Sequence, residues 1–199
     1  MPLAFSLGVL LVSLAIQVNI GVRHVLPLYV GFSIVAAFGI EWWVQWARSS
    51  RWAGWALAIL LAWFAASSAL SHPDYLPYFN FLAGSEPEKI VADSDLDWGQ
   101  DTKRLSRRLK ELGATHVAFM PFVPGAEVLG LPPFEWNHPT KPSPGWNAVS
   151  LSNWKVNRLG LEGRFPEVVL WPDKSKPVER VGKGILLYYF PPPVAQPLP

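Results

Sequence analysis

Three long apolar stretches occupy the first seventy residues, and nothing else in the sequence restricts the fold as strongly. Only four charged side chains, Arg23, Glu41, Arg48 and Arg51, fall in residues 1–70; the other 28 come later. The stretch "PLAFSLGVLLVSLAIQVNIG" carries no charge over about twenty residues, enough for a helix to cross a ~30 Å hydrocarbon core. "VLPLYVGFSIVAAFGIEWWVQW" is a second such stretch. Glu41 stands near its end beside Trp42, Trp43 and Trp46, the aromatic signature of a membrane interface. "WAGWALAILLAWFAASSAL" is the third. Three transmembrane helices are therefore expected, at about 3–20, 25–46 and 52–70. The first lacks a basic flank and a small-residue cleavage site, which disfavours a removable signal peptide.

Loop charge orients these spans. "ARSSRW" between the second and third carries Arg48 and Arg51, whereas "NIGVRH" between the first and second carries Arg23 alone. Positive loops stay inside. Arg48 and Arg51 then face the cytoplasm, and everything after Ser71 is expected on the outer side of a multi-pass membrane protein. Asn19, Arg23 and His24 mark the outer mouth between spans one and two. They either brace the hairpin, with Arg23 reaching to headgroups, or contact an anionic lipid or lipid-linked phosphate.

Residues 71–88, "SHPDYLPYFNFLAGSEPE", leave the membrane. Pro73 and Pro77 exclude a long regular helix. The ring-rich run around His72, Tyr75, Tyr78, Phe79 and Phe81 reads as an interfacial segment touching headgroups.

The chain beyond residue 70 has a different character. It carries 14 basic and 14 acidic residues, so no basic field points to nucleic acid. Cysteine is absent from the 199 residues, which excludes disulfide and thiolate chemistry. "KIVAD" reads as a strand ending at Asp93. "DTKRLSRRLKELG" reads as a helix with Leu105, Leu109 and Leu112 on one stripe and Gly113 as its stop. "THVAFMPF" reads as a second strand. Together they predict a βαβ unit within a small α/β domain over 89–190. "NAVSLSNWKV" and "GILLYYF" are further expected strands, "FPEVVLW" is a short strand or helical turn, and the proline-rich tail 191–199 is expected to be extended.

The segment "VADSDLDWGQD", residues 91–101, holds four aspartates. On the predicted layout Asp93 ends a strand, Asp95 and Asp97 fill the loop, and Asp101 stands at a helix N-cap. Ligands collect at that edge of α/β units, but short carboxylates there also satisfy turn and cap N–H groups. As a calcium loop the sequence fails: counting from Asp93, the positions that need Gly and Glu hold Trp98 and Arg104. A looser divalent-cation site on Asp93, Asp95 and Asp97 stays open, since carboxylates suit hard cations; no other cofactor is indicated. A phosphate cradle is disfavoured by three carboxylates. The structural account expects Asp101 to cap the helix, Asp93 to hold the turn, and Trp98 to be buried against the helix or the membrane-exit aromatics. Damage on substitution should then rank Trp98 first, Asp93 and Asp101 next, and Asp95 last. Neither Ser94 nor Ser150 sits in a G-x-S-x-G elbow, and the four histidines never fall at zinc-ligand spacing.

Three motifs in order, "NIGVRHVLPLY" at 19–29, "HPDYLPYFNFLAG" at 72–84 and "DSDLDWGQD" at 93–101, resemble the C-terminal part of bacterial polytopic glycosyltransferases. These are the enzymes related to protein mannosyltransferases and lipid A sugar transferases, which use polyprenyl-phosphate sugars. Members of that family usually read "DSNLDWGQD", so Asp95 replaces an asparagine. The resemblance implies an inner-membrane location, an extracytoplasmic C-terminal domain, a loop that includes Gln100 as well as the aspartates, and lipid-linked sugar as a partner. The catalytic acid of such enzymes lies in an early outer loop that nothing here matches, so no catalytic residue is carried over. The resemblance thus implies either a piece of a transferase that works with an upstream multi-span subunit or a short relative without activity of its own. The alternative is a non-enzymatic membrane-anchored binding or scaffold protein.

The topology is checked with reporters that are active in only one compartment. Fused after Ser50, a reporter should read cytoplasmic; fused after Lys89, it should read outer. A cytoplasmic reading at Lys89 overturns the arrangement.

Overall fold

The computed structural model describes residues 1–15, 25–84, 86–90, 96–122, 124–165, 167 and 169–193. The chain divides into two compact units, Met1–Tyr75 and Leu76–Pro199.

The first unit is helical: α1 (Pro2–Ala15), α2 (Leu26–Ser49) and α3 (Arg51–Leu70). At 1.5 Å per residue, α2 and α3 are about 36 and 30 Å long, and both are long and apolar enough to cross a membrane. Only 11% of each apolar window is buried within the protein, so these helices do not pack as core helices of a water-soluble fold would. The described part of the first expected span is 14 residues, about 21 Å. Its continuation, with Asn19, Arg23 and His24, lies outside the described residues. Small residues let the helices approach. A methyl group added at Gly31 would collide with Ser6 Oγ and come within 2.9 Å of the Pro2 carbonyl. Helices α2 and α3 are joined by Ser50 alone, whose hydroxyl accepts from Ala53 N, and Trp43 Nε1 donates to Ala53 O at 3.1 Å.

The second unit is a mixed α/β domain. It contains α4 (Thr102–Glu111), β1 (Val117–Met120), β2 (Phe134–Glu135), β3 (Gly145–Ser150), α5 (Leu151–Glu162), α6 (Trp171–Lys174), β4 (Glu179–Val181) and β5 (Ile185–Phe190). The sheet order is β2-β1-β3-β5-β4. β2, β1 and β3 run parallel; β5 is antiparallel to both β3 and β4.

Alternation along the strands builds two apolar layers. Ala148, Ile185 and Leu187 join Leu105 and Leu109 of α4, with Val117 and Phe119, on one side. Val149 and Tyr188 join Trp154, Leu170 and Trp171 on the other. The leucine stripe read from the sequence is thus the inner face of α4, with Leu105 and Leu109 wholly buried and Leu112 packed at the margin.

Two expected strands are corrected. Lys89 closes a 3-10 turn, Pro87–Lys89, and Ile90 follows it in a turn, not in a strand; the remainder of "KIVAD" lies outside the described residues. The parallel pairs form instead around β1. "NAVSLSNWKV" is not one strand, because β3 ends at Ser150 and α5 begins at Leu151. The Ser150 hydroxyl accepts from Asn153 N, so a serine read as mid-strand is a helix cap that splits the segment. "FPEVVLW" contributes the start of α6. Of the tail, Pro191–Pro193 are exposed and outside any helix or strand.

Candidate functional site

The acidic loop lies against the end of the sheet through contacts distant in sequence. Leu96 is 1% exposed and anchors it. Gln100 braces it locally, donating from Nε2 to Leu96 O at 2.9 Å and accepting from Trp98 N at 2.6 Å. Gly99, at φ +79°, makes the bend that only glycine takes without strain.

Asp101 stands at the N-cap position of α4, but its side chain makes no cap hydrogen bond; the capping role expected from sequence is corrected. Its carboxylate is fully buried and turns toward the β4–β5 hairpin. Oδ2 accepts from Lys183 N at 2.9 Å and from Gly184 N at 2.8 Å, while Oδ1 accepts from Arg104 Nη1 at 2.8 Å. The hairpin N–H groups give the carboxylate two charge-assisted bonds where a cap would give one. A Cβ on Gly182, which has φ +62°, would fall inside the Asp101 carboxylate.

Asp97, 1% exposed, accepts from Gly99 N at 2.7 Å and from Ser150 Oγ at 2.5 Å. Burial pushes its carboxyl above the ordinary aspartate range, against the lowering effect of the Ser150 and Gly99 hydrogen bonds; the neighbouring Asp101 charge adds to the rise. Leu151 N donates to Gly184 O at 2.8 Å. One knot therefore joins the acidic loop, the start of α5 and the hairpin turn. Ser150 and the Gly182–Lys183–Gly184 turn are the members that sequence reasoning missed. The turn has a legible signal, two glycines around a lysine between strands, but nothing local ties it to a loop eighty residues earlier.

Trp98 is not buried. It is 40% exposed and meets Phe122 edge-on at 5.8 Å between ring centroids. Leu96 holds the anchoring place that the sequence reading assigned to the tryptophan, so the expected ranking of damage changes at its head. Asp93 and Asp95 lie outside the described residues, as does any turn or cation role for them. Among the described residues no group of three or more His, Asp or Glu side chains could hold a metal ion. His72 and Tyr75 form a ring pair at 5.6 Å in the first unit; Tyr75 and Tyr78 are exposed.

A small pocket opens near the carboxyl ends of β1 and β3, walled by Met120, Trp154 and Trp171 and lined also by Asn137, Asn153 and Asn157. Asn153 donates to the Met120 and Pro121 carbonyls at 3.2 and 3.1 Å, so it ties the first turn of α5 to the end of β1. Nearby, burial and the Asp173 charge push the Tyr188 hydroxyl up to about 12.

No protein-family model, no curated protein and no solved structure matches this chain.

Two substitutions separate the roles of the aspartates. Asp101→Ala strips the partner from two backbone N–H groups, of which Gly184 N is buried. At about 1–3 kcal/mol for each group left unsatisfied, the loss should exceed the ~1 kcal/mol of a missing cap. Thermal unfolding of the full chain in detergent measures it, and a loss no larger than a cap's would contradict the clamp.

Asp97→Asn should act in the opposite direction. Because the folded-state carboxyl titrates above its unfolded value, this group favours folding when protonated, and its contribution fades as pH rises through the raised value. An asparagine keeps an acceptor for Gly99 N and a donor for Ser150 Oγ without the buried charge. The variant should melt at or above wild type at neutral pH, with the gap closing as pH falls below the ordinary aspartate range. A variant that melts lower at neutral pH than at acid pH, relative to wild type, contradicts this.

Proposed function

We propose that this chain is the membrane-anchored, non-catalytic part of a glycosyltransferase that uses polyprenyl-phosphate sugars, with its α/β domain outside the cytoplasm as a supporting module. The observation that carries the reading is the state of the acidic loop. Asp97 and Asp101, the described carboxylates of the motif that resembles the transferases, are buried and direct their lone pairs to Ser150, Gly99, Arg104 and the hairpin N–H groups. A general acid or base must reach the proton it moves; these two reach only their own fold. At Asp97 and Asp101 the motif therefore shapes the domain, and on this reading the acid for sugar transfer belongs to a multi-span partner segment. The two apolar helices supply the anchor.

The second reading, a membrane-anchored binding protein with no link to sugar transfer, draws on the pocket beside β1 and β3, lined by Asn137, His138, Asn153, Asn157, Trp154 and Trp171.

Two measurements on the purified full chain distinguish these readings. Incubated with polyprenyl-phosphate sugars and a panel of acceptors, it should form no product above buffer; turnover by this chain alone overturns the non-catalytic assignment. In membranes, a photoreactive polyprenyl-phosphate sugar should label it, and excess polyprenyl phosphate should compete. Absence of competed labelling removes the lipid-linked sugar reading and leaves the binding protein.

A further inference from the structure

Residues 71–75 alone separate α3 from the second unit, which begins at Leu76. Fully extended, that link reaches no more than ~20 Å, whereas a domain of about 120 residues has a radius of gyration of about 14 Å. With α2 and α3 across a membrane, such a domain is held at the bilayer and turns some face to the headgroups.

What the surface exposes decides which face. Trp154 turns inward from α5, but Val156 and Leu159 are 51% and 67% exposed. Three residues apart, they share one side of the helix. Leu159 lines a groove with Ile90, which is 66% exposed and follows the 3-10 turn Pro87–Lys89. Leu76, Tyr78 and Leu82, on the stretch that leads from α3 to this turn, are exposed too.

Charge separates the possible occupants. In the groove Lys89 pairs with Glu86, Glu88 with Arg180, and Arg158 with Glu162 and Asp173. Together with Lys155 these groups leave little net charge, so the groove has no strong field to draw a charged soluble partner. A bilayer kept within reach by the chain itself needs none. Apolar side chains bordered by Lys and Arg settle at the boundary between headgroups and acyl chains.

We propose that Ile90, Val156 and Leu159 form a lipid-facing patch, seated at the headgroup boundary of the bilayer that α2 and α3 enter, a role that rests on the reading of those helices as membrane spans. The docking is apolar, so salt does not release it.

The chain has no cysteine, so a single introduced cysteine carries one spin label. Leu159→Cys is compared with two exposed reference positions, Leu60→Cys in the middle of α3 and Val128→Cys. Val128 belongs to the 3-10 helix Ala126–Leu129, which packs with α4 on the side of the sheet opposite α5. Each labelled full chain is reconstituted in vesicles of phosphatidylethanolamine and phosphatidylglycerol. Relaxation of the label by oxygen, which concentrates in lipid, is then measured against relaxation by a water-soluble nickel chelate. The oxygen-to-nickel ratio at position 159 should exceed that at 128 several-fold, lie below that at 60, and hold in high salt. Val156→Cys should behave as Leu159→Cys does, and adding Leu159→Glu should lower its ratio toward that at 128. With the label at 60 in lipid, a label at 159 in water, from the outset or after salt, overturns the patch and leaves the spans standing. A label at 159 shielded from both agents marks a protein contact and overturns it as well. A label at 60 in water removes the spans, and the patch with them.

Discussion

The α/β domain depends on one buried carboxylate. Asp101 holds two adjacent N–H groups of a hairpin turn that no strand could supply with partners, since Lys183 and Gly184 stand between β4 and β5. Desolvating a carboxylate is strongly unfavourable. It is tolerated because three donors surround it, one of them the Arg104 guanidinium from the first turn of the same helix. The turn has no room to vary: Gly182 needs a positive φ, and the carboxylate occupies the space of its side chain. Strands β4 and β5, and the helix that begins beside Asp101, are thereby fixed to one another at a single point. Arg108 strengthens the union one turn later through Glu179 at 2.8 Å. On the far side of β4, Arg180 grips Glu88 with two bonds of 3.0 and 3.1 Å.

What was legible in the sequence was whatever depends on near neighbours. The apolar runs marked the long helices α2 and α3, the leucine spacing marked α4 and its inner face, and the β-branched and aromatic runs marked β1 and β5. Expectations failed where a local signal met a distant partner. Asp101 carries every mark of an N-cap, yet hairpin donors eighty residues away hold its carboxylate instead. "NAVSLSNWKV" alternates like a strand, yet Ser150 accepts from Asn153 N and starts a helix. Trp98 looked too large to leave exposed, yet Leu96, two residues earlier, fills the interior and the indole lies on Phe122 near the surface. In each case the side chain's chemistry is plain from its type and its partner is not, because partner choice is a property of the tertiary fold.

The two units differ in what they expose. In the helical unit close approach is set by what is missing: Gly31 clears space for Ser6 and Pro2, and the Trp43 indole adds a polar tie to the Ala53 carbonyl. Where the surroundings are as apolar as the side chains, packing and the occasional hydrogen bond must provide cohesion. In the α/β unit the sheet faces exclude water, and burial of apolar surface supplies the driving force, roughly 25 cal/mol for each Å² removed from water. The exposed Leu, Ile, Phe and Trp side chains crowd into α1 to α3, of which α2 and α3 are long and apolar enough to cross a membrane, while charged residues are concentrated after residue 70.

The start of α5 is where the acidic loop and the pocket meet. Ser150 donates its hydroxyl proton to Asp97, Leu151 N holds the Gly184 carbonyl, Asn153 spans the Met120 and Pro121 carbonyls, and Trp154 forms a wall of the pocket. The short run from Ser150 to Trp154 thus ties the acidic loop, the hairpin turn, the end of β1 and one wall of the pocket to the first turn of α5. The described part of the acidic motif acts on this end of the sheet through its hydrogen bonds to Ser150 and to the hairpin turn, and these fix where α5 begins.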